Sequence, residues 1–113
     1  MQLSSILKAS RILCAVPCQS KKKIFETISE LAEDVENEIY QANILESLVQ
    51  REKMGSTGIG NGIAIPHGRI AGLKDVVAIV VTTESAIDFE AIDHKPVDVF
   101  FALLVPDKFY LRF

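Results

Sequence analysis

Two apolar runs set the strongest limit on what this chain can fold into. Val76-Val-Ala-Ile-Val-Val81 and Val97-Asp-Val-Phe-Phe-Ala-Leu-Leu-Val105 are nearly continuous and rich in β-branched and aromatic residues. A half-buried strand alternates apolar with polar, whereas runs like these suit central strands covered on both faces. They are too short to cross a bilayer. Upstream the period changes from two to that of a helix. Ser20 reads as the N-cap of a helix over Lys21–Val35, whose apolar positions Ile24, Phe25, Ile28, Leu31, Ala32 and Val35 form one stripe. Asn37 caps a second helix, Glu38–Glu52, with Ala42, Leu45, Leu48 and Val49 facing inward. Ile12–Val16 reads as a short strand stopped by Pro17. Ile87–Ile92 with Lys95-Pro96 reads as a strand or loop edge. Strand, two helices, then several strands predict an α/β domain with a mixed β-sheet flanked by helices.

The chain's 113 residues suit one domain, and a hydrophobic fraction of 49% rules out global disorder. A formal charge of −3 gives no support to nucleic-acid binding, which wants a basic face. The basic run Lys21-Lys22-Lys23 opens a helix and reads as solvated surface, with docking of an acidic partner as the alternative. The start, Met1-Gln2-Leu3-Ser4, lacks a basic segment and a long apolar core, so no signal peptide is expected; the protein reads as cytoplasmic, with no membrane partner. Cys14 and Cys18, in Cys-Ala-Val-Pro-Cys, are spaced one residue too far for a redox pair. A zinc site would need an unusual spacing, so two reduced, semi-buried thiols are expected and no metal or cofactor.

Function is concentrated in Arg51-Glu-Lys-Met-Gly-Ser-Thr-Gly-Ile-Gly-Asn-Gly-Ile-Ala-Ile-Pro-His67-Gly68, which holds five of the chain's six glycines. Glycines let backbone N–H groups approach a ligand, and Pro66 presents His67 on a stiff stem; Ile63-Ala64-Ile65 reads as a short extended lead. Two nucleotide motifs fail here. Gly55-x-x-x-x-Gly60 is followed by Asn61-Gly62 where a P-loop needs Lys-Ser/Thr, and the loop follows a helix rather than the strand of a dinucleotide fold. A neutral imidazole is a nucleophile near pH 7, and phosphoryl transfer needs mostly positioning and charge stabilisation. The hydroxyls of Ser56 and Thr57, the amides of the loop Gly58, Gly60, Asn61 and Gly62, and the Arg51 guanidinium are candidates to provide it. The plainer alternatives are a turn histidine bonded to backbone for His67 and a cap on the helix C-terminus for Arg51. His94, in Asp93-His94-Lys95-Pro96, reads as a solvated turn residue. Glu84, Asp88, Glu90 and Asp93 alternate with apolar residues and read as the solvent side of an edge strand.

The Arg51-to-Gly68 segment resembles the signature of the mannitol/fructose-type enzyme IIA domain of the phosphoenolpyruvate:sugar phosphotransferase system, most strongly the nitrogen-regulatory branch of that family. Gln2–Leu7, Cys18-Gln19-Ser20-Lys21-Lys22, Ile28–Ala32, Ala91-Ile92-Asp93, Pro96-Val97-Asp98 and Phe101–Pro106 resemble it too, so the likeness covers residues 2 to about 107. It implies a mixed sheet flanked by helices. It also implies that His67 carries a phosphoryl group on Nε2, received from a histidine phosphocarrier protein, and that Arg51 steadies the group. The nitrogen-type branch has no dedicated permease and acts as a regulator through its phosphorylation state; its targets are not named by the sequence. The resemblance further implies C-terminal helices bearing a second active-site histidine. Here Lys108-Phe-Tyr-Leu-Arg-Phe113 stands in their place, so residues 1–113 are expected to form a single such domain lacking those helices. Three rivals stand beside the regulatory phosphoryl acceptor: a sugar-specific enzyme IIA, an interaction module unable to transfer phosphate, and a nucleotide-binding fragment.

Overall fold

The structure, a computed structural model, describes residues 11–32 and 41–107. Its elements are β1 (Ile12–Val16), α1 (Lys21–Leu31), α2 (Gln41–Lys53), β2 (Gly58–Gly60), β3 (Ile63–Ala64), β4 (His67–Ile70), β5 (Val77–Ile87) and β6 (Val97–Pro106). The six strands form one mixed sheet in the order β1-β5-β6-β3-β2, with β4 also paired to β6. β1 runs parallel to β5, and β5 runs antiparallel to β6. β3 and β4 follow one another along the other edge of β6, both parallel to it, so that Ile63 lies opposite Val99 and His67 opposite Leu103. Pro66 falls between the two pieces. It has no N–H to donate, and its carbonyl accepts from the Leu103 amide at 2.9 Å.

The helices form where the apolar stripes predicted them. Ser20 caps α1, its side chain accepting from the Lys23 amide at 3.1 Å. Ile24, Phe25, Ile28 and Ala32 are buried and Leu31 is partly so. Thr27 and Ser29 are buried on the same helix because their hydroxyls bond back to the carbonyls of Lys23 and Phe25. In α2 the centre of the buried face is Ile44 with Leu48, a correction to the expected set; Leu45 and Val49 flank them, half-buried. Ile44 and Leu48 are four apart and so stack one turn above the other. Val35, the cap Asn37 and the side chain of Ala42 lie outside the described residues, as do Gln2–Leu7.

The two apolar runs are the central strands β5 and β6. Val77, Ile79, Val81, Phe100, Ala102 and Leu104 share one face and join the helices in the core. On the opposite face Val80, Thr82, Val99 and Phe101 are only half-buried. Burial on both faces, expected from the runs, is thus complete on the helical side alone. A second correction concerns the acidic segment. β5 continues to Ile87 and lies inside the sheet, and residues 88–96 form a loop, the second of the two forms expected there, so that Asp88, Glu90 and Asp93 do not line an edge strand. Asp88 and Asp93 explain the turn: each carboxylate accepts from the amide two residues on, Glu90 and Lys95, both at 3.1 Å. The thiols also part company with expectation. Both are free, but Cys14 is exposed and Cys18 fully buried.

Candidate functional site

The glycine segment folds as a tight hairpin. β2 and β3 pair antiparallel, Gly60 opposite Ile63, and the two residues between them are Asn61 and Gly62, with φ of 58° and 79°. Positive φ at both positions is what a two-residue hairpin turn of this hand requires, and Asn-Gly is its preferred dipeptide. The dipeptide is a hairpin signal legible in the sequence itself. The tip is tied down by Asp93, whose carboxylate accepts from the Asn61 amide at 3.1 Å. The Lys95 and Asn61 amides together hold the Asp93 carboxyl below the usual carboxylate range.

After the hairpin the chain bends at Pro66 and delivers His67 to the start of β4. The His67 ring is half-buried, and both of its nitrogens are engaged. Arg51 Nε lies 3.1 Å from His67 Nε2, and His67 Nδ1 lies 3.0 Å from the Ile65 carbonyl oxygen. These two contacts fix the tautomer. A guanidinium N–H only donates, so Nε2 must present its lone pair; a carbonyl only accepts, so Nδ1 must carry the proton. The arrangement leaves Nε2 as the basic, nucleophilic nitrogen.

Arg51 reaches His67 from the last turn of α2. Its Nη1 donates to the Gly55 carbonyl at 2.8 Å while Nε faces the imidazole. The structure therefore brings Arg51 to the histidine. The approach of α2 to β4 depends on Gly68. A Cβ there would meet Ser47 Oγ at 2.5 Å and Ser47 Cβ at 3.1 Å, and that same hydroxyl donates to the Arg69 carbonyl at 3.0 Å. Gly68→Ala is therefore expected to push α2 off the sheet at a cost of about 1–3 kcal/mol. Thermal unfolding checks this, and Ser47→Gly should restore most of the loss.

The other loop residues are committed within the protein. The Thr57 amide and hydroxyl donate to the Glu52 carboxylate, at 3.0 and 2.6 Å. Ser56 Oγ donates to the Phe89 carbonyl at 3.3 Å and accepts from the Gly58 amide at 3.1 Å. The Gly62 carbonyl accepts from the amides of Asp98 and Val99. Gly58 and Gly60 are the buried positions of β2. His94 sits in the exposed turn after Asp93, with φ of 60°. Sequence reasoning did not find the Gly55 and Ile65 carbonyls, which have no side-chain signature, or Glu52, which lies next to Arg51. Among the described residues no three His, Cys, Asp or Glu side chains gather closely enough to hold a metal. No described helix is long and apolar enough to cross a membrane.

A histidine held in one tautomer by an arginine, at the end of a glycine hairpin on a mixed sheet, defines a class. The chain belongs to the EIIA 2 family of the phosphoenolpyruvate-dependent sugar phosphotransferase system, whose family model matches residues 5–111. It is 45% identical over 107 residues to the nitrogen regulatory protein of Pseudomonas aeruginosa, covering 95% of this chain and 70% of that protein. To the nitrogen regulatory protein of Escherichia coli it is 50% identical over 107 residues, covering 94% of this chain and 65% of that one. The chain thus spans about two thirds of the length of these relatives. The crystal structure of nitrogen regulatory protein IIA-Ntr from Neisseria meningitidis superposes with a TM-score of 0.88 at 40% identity, covering 94% of this chain and 72% of that one. The mannitol IIA of Escherichia coli, at 17% identity and a TM-score of 0.70, shares the fold, with 90% of this chain and 73% of that one covered.

Proposed function

We propose that this chain is a cytoplasmic regulatory component of a nitrogen-related phosphotransferase system, which accepts a phosphoryl group on His67 Nε2 from a histidine phosphocarrier protein. The observation that carries the reading is the pair of hydrogen bonds that puts the lone pair on Nε2 and the proton on Nδ1. In the transfer, the Nε2 lone pair attacks phosphorus, and the bond from phosphorus to the carrier's imidazole breaks, that imidazole keeping the electron pair. The His67 ring then bears positive charge, which the Ile65 carbonyl stabilises through Nδ1–H. The Arg51 guanidinium, already beside Nε2, turns its donors onto the phosphoryl oxygens and offsets charge there.

Ser56, Thr57, Gly58, Gly60, Asn61 and Gly62 enter this proposal as the scaffold that sets Arg51 and His67 in place. The amides of Thr57, Gly58 and Asn61 already have partners in the protein. Identities of 45% and 50% to nitrogen regulatory proteins favour the regulatory role over a sugar-specific one. The test is incubation with the phosphocarrier, its charging enzyme and phosphoenolpyruvate. The expected result is gain of one acid-labile phosphoryl group, localised to His67 Nε2 by imidazole 15N shifts. No uptake leaves an interaction module, and a label on His94 overturns the site.

A further inference from the structure

Glu52 is a carboxylate buried at the edge of the site that the transfer step does not use. It is 9% exposed, and a carboxylate is buried only when charge and hydrogen bonds offset its desolvation. Its partners come from two segments, the start of α1 and the loop after α2. Lys21 Nζ, from the first turn of α1, lies 2.9 Å from Oε2. The Thr57 amide lies 3.0 Å from Oε1 and 3.2 Å from Oε2, and the Thr57 hydroxyl donates to Oε1 at 2.6 Å. Lys21 is itself anchored. It donates to the Phe89 carbonyl at 3.1 Å and sits 4.5 Å above the centre of the Phe89 ring. That ring packs in turn against Phe25 and Phe100 in the core.

The consequence lies in what the clamp encloses. Glu52 follows Arg51 at the end of α2, and its carboxylate closes a loop back onto Thr57. Inside that loop the Gly55 amide donates to the Glu52 carbonyl at 3.1 Å, and the Gly55 carbonyl accepts from Arg51 Nη1 at 2.8 Å. The Gly55 carbonyl bonds the guanidinium, and the Glu52 carboxylate pins Thr57, at the far end of the short segment that carries Gly55. We infer that Glu52, locked by Lys21 and Thr57, is a positioning residue that aims the Arg51 guanidinium at His67 Nε2. The inference rests on the phosphoryl-transfer reading for its rate effect but not for its effect on the His67 tautomer.

The experiment is a double-mutant cycle with Glu52→Gln and Arg51→Lys in the full chain, read by the rate of phosphoryl uptake. Glu52→Gln is expected to slow uptake roughly ten- to hundredfold in the parent, the scale that misplacement of a positioned group brings. In the Arg51→Lys background it should slow uptake less than about threefold, because the group it aims is gone. The imidazole 15N shifts of unphosphorylated His67 should show the Nδ1–H form in the parent and a mixture of tautomers in Glu52→Gln. Lys21→Met, which removes the charge that locks the Glu52 carboxylate, is read the same way should Glu52→Gln fail to fold. If the chain takes up no phosphate at all, the 15N shifts alone decide. Equal losses in both backgrounds, or an unchanged tautomer in a folded clamp variant, would overturn the inference.

Discussion

His67→Ala is expected to take up no phosphoryl group while keeping its fold. In the proposed transfer the phosphorus–nitrogen bond forms at Nε2, and an alanine side chain supplies no lone pair in its place. His94 is in an exposed turn and does not substitute for a ring held between an arginine and a carbonyl. The structural cost is small by comparison. The substitution removes the hydrogen bonds to Arg51 and Ile65, worth about 1 kcal/mol each in a part-buried setting. Uptake assayed beside a melting curve separates the two effects: complete loss of label with a modest shift in Tm. Label retained in the alanine variant would move the acceptor elsewhere.

Arg51→Lys should give the next largest effect. A guanidinium holds the Gly55 carbonyl with Nη1 and the imidazole with Nε simultaneously, because its donors are fixed in one plane. An ammonium group is a single point of charge and cannot span both. Uptake should fall by roughly 10²-fold, as when one oriented donor is lost from a site that stabilises developing charge. The charge is retained, so the loss measures geometry rather than attraction. A lysine variant as fast as the parent, or one slowed only in proportion to its unfolding, would return Arg51 to the role of a helix cap.

The parts of the fold that were legible in the sequence are those written in local periodicity. The α1 stripe of Ile24, Phe25 and Ile28 predicts a helix and its buried face, and Ser20 predicts where it starts. The β-branched runs at Val76–Val81 and Val97–Val105 predict the two central strands. Asn61-Gly62 marks a hairpin tip for the same reason, since two successive positive φ angles have few other side chains to choose from. The carboxylates of the acidic loop read as an edge strand because Asp88 and Glu90 alternate with apolar residues. Each aspartate in fact bonds its own backbone two residues later, and a two-residue spacing of that kind has the same period as a strand. Ile44 stands beside Leu45 on the same stripe, and only the tertiary contact shows which of the two lies deepest.

What the amino-acid sequence determined by itself is a set of elements and a histidine at the end of a glycine-rich loop. It named Arg51 and His67 as candidates, but it left each with a second, plainer role. The tertiary structure brings the two side chains together. Arg51 lies in the last turn of a helix and His67 begins a strand, 16 residues later, and no local pattern measures the distance across that gap. The distance is settled by the register of β4 on β6, by the absence of a side chain at Gly68 that lets α2 close on the sheet, and by the clamp of Lys21, Glu52 and Thr57. The tautomer that makes Nε2 nucleophilic is a property of the same geometry. It depends on a backbone carbonyl at Ile65 and a guanidinium at Arg51 facing opposite edges of one ring, and a carbonyl leaves no trace in the sequence because every residue has one.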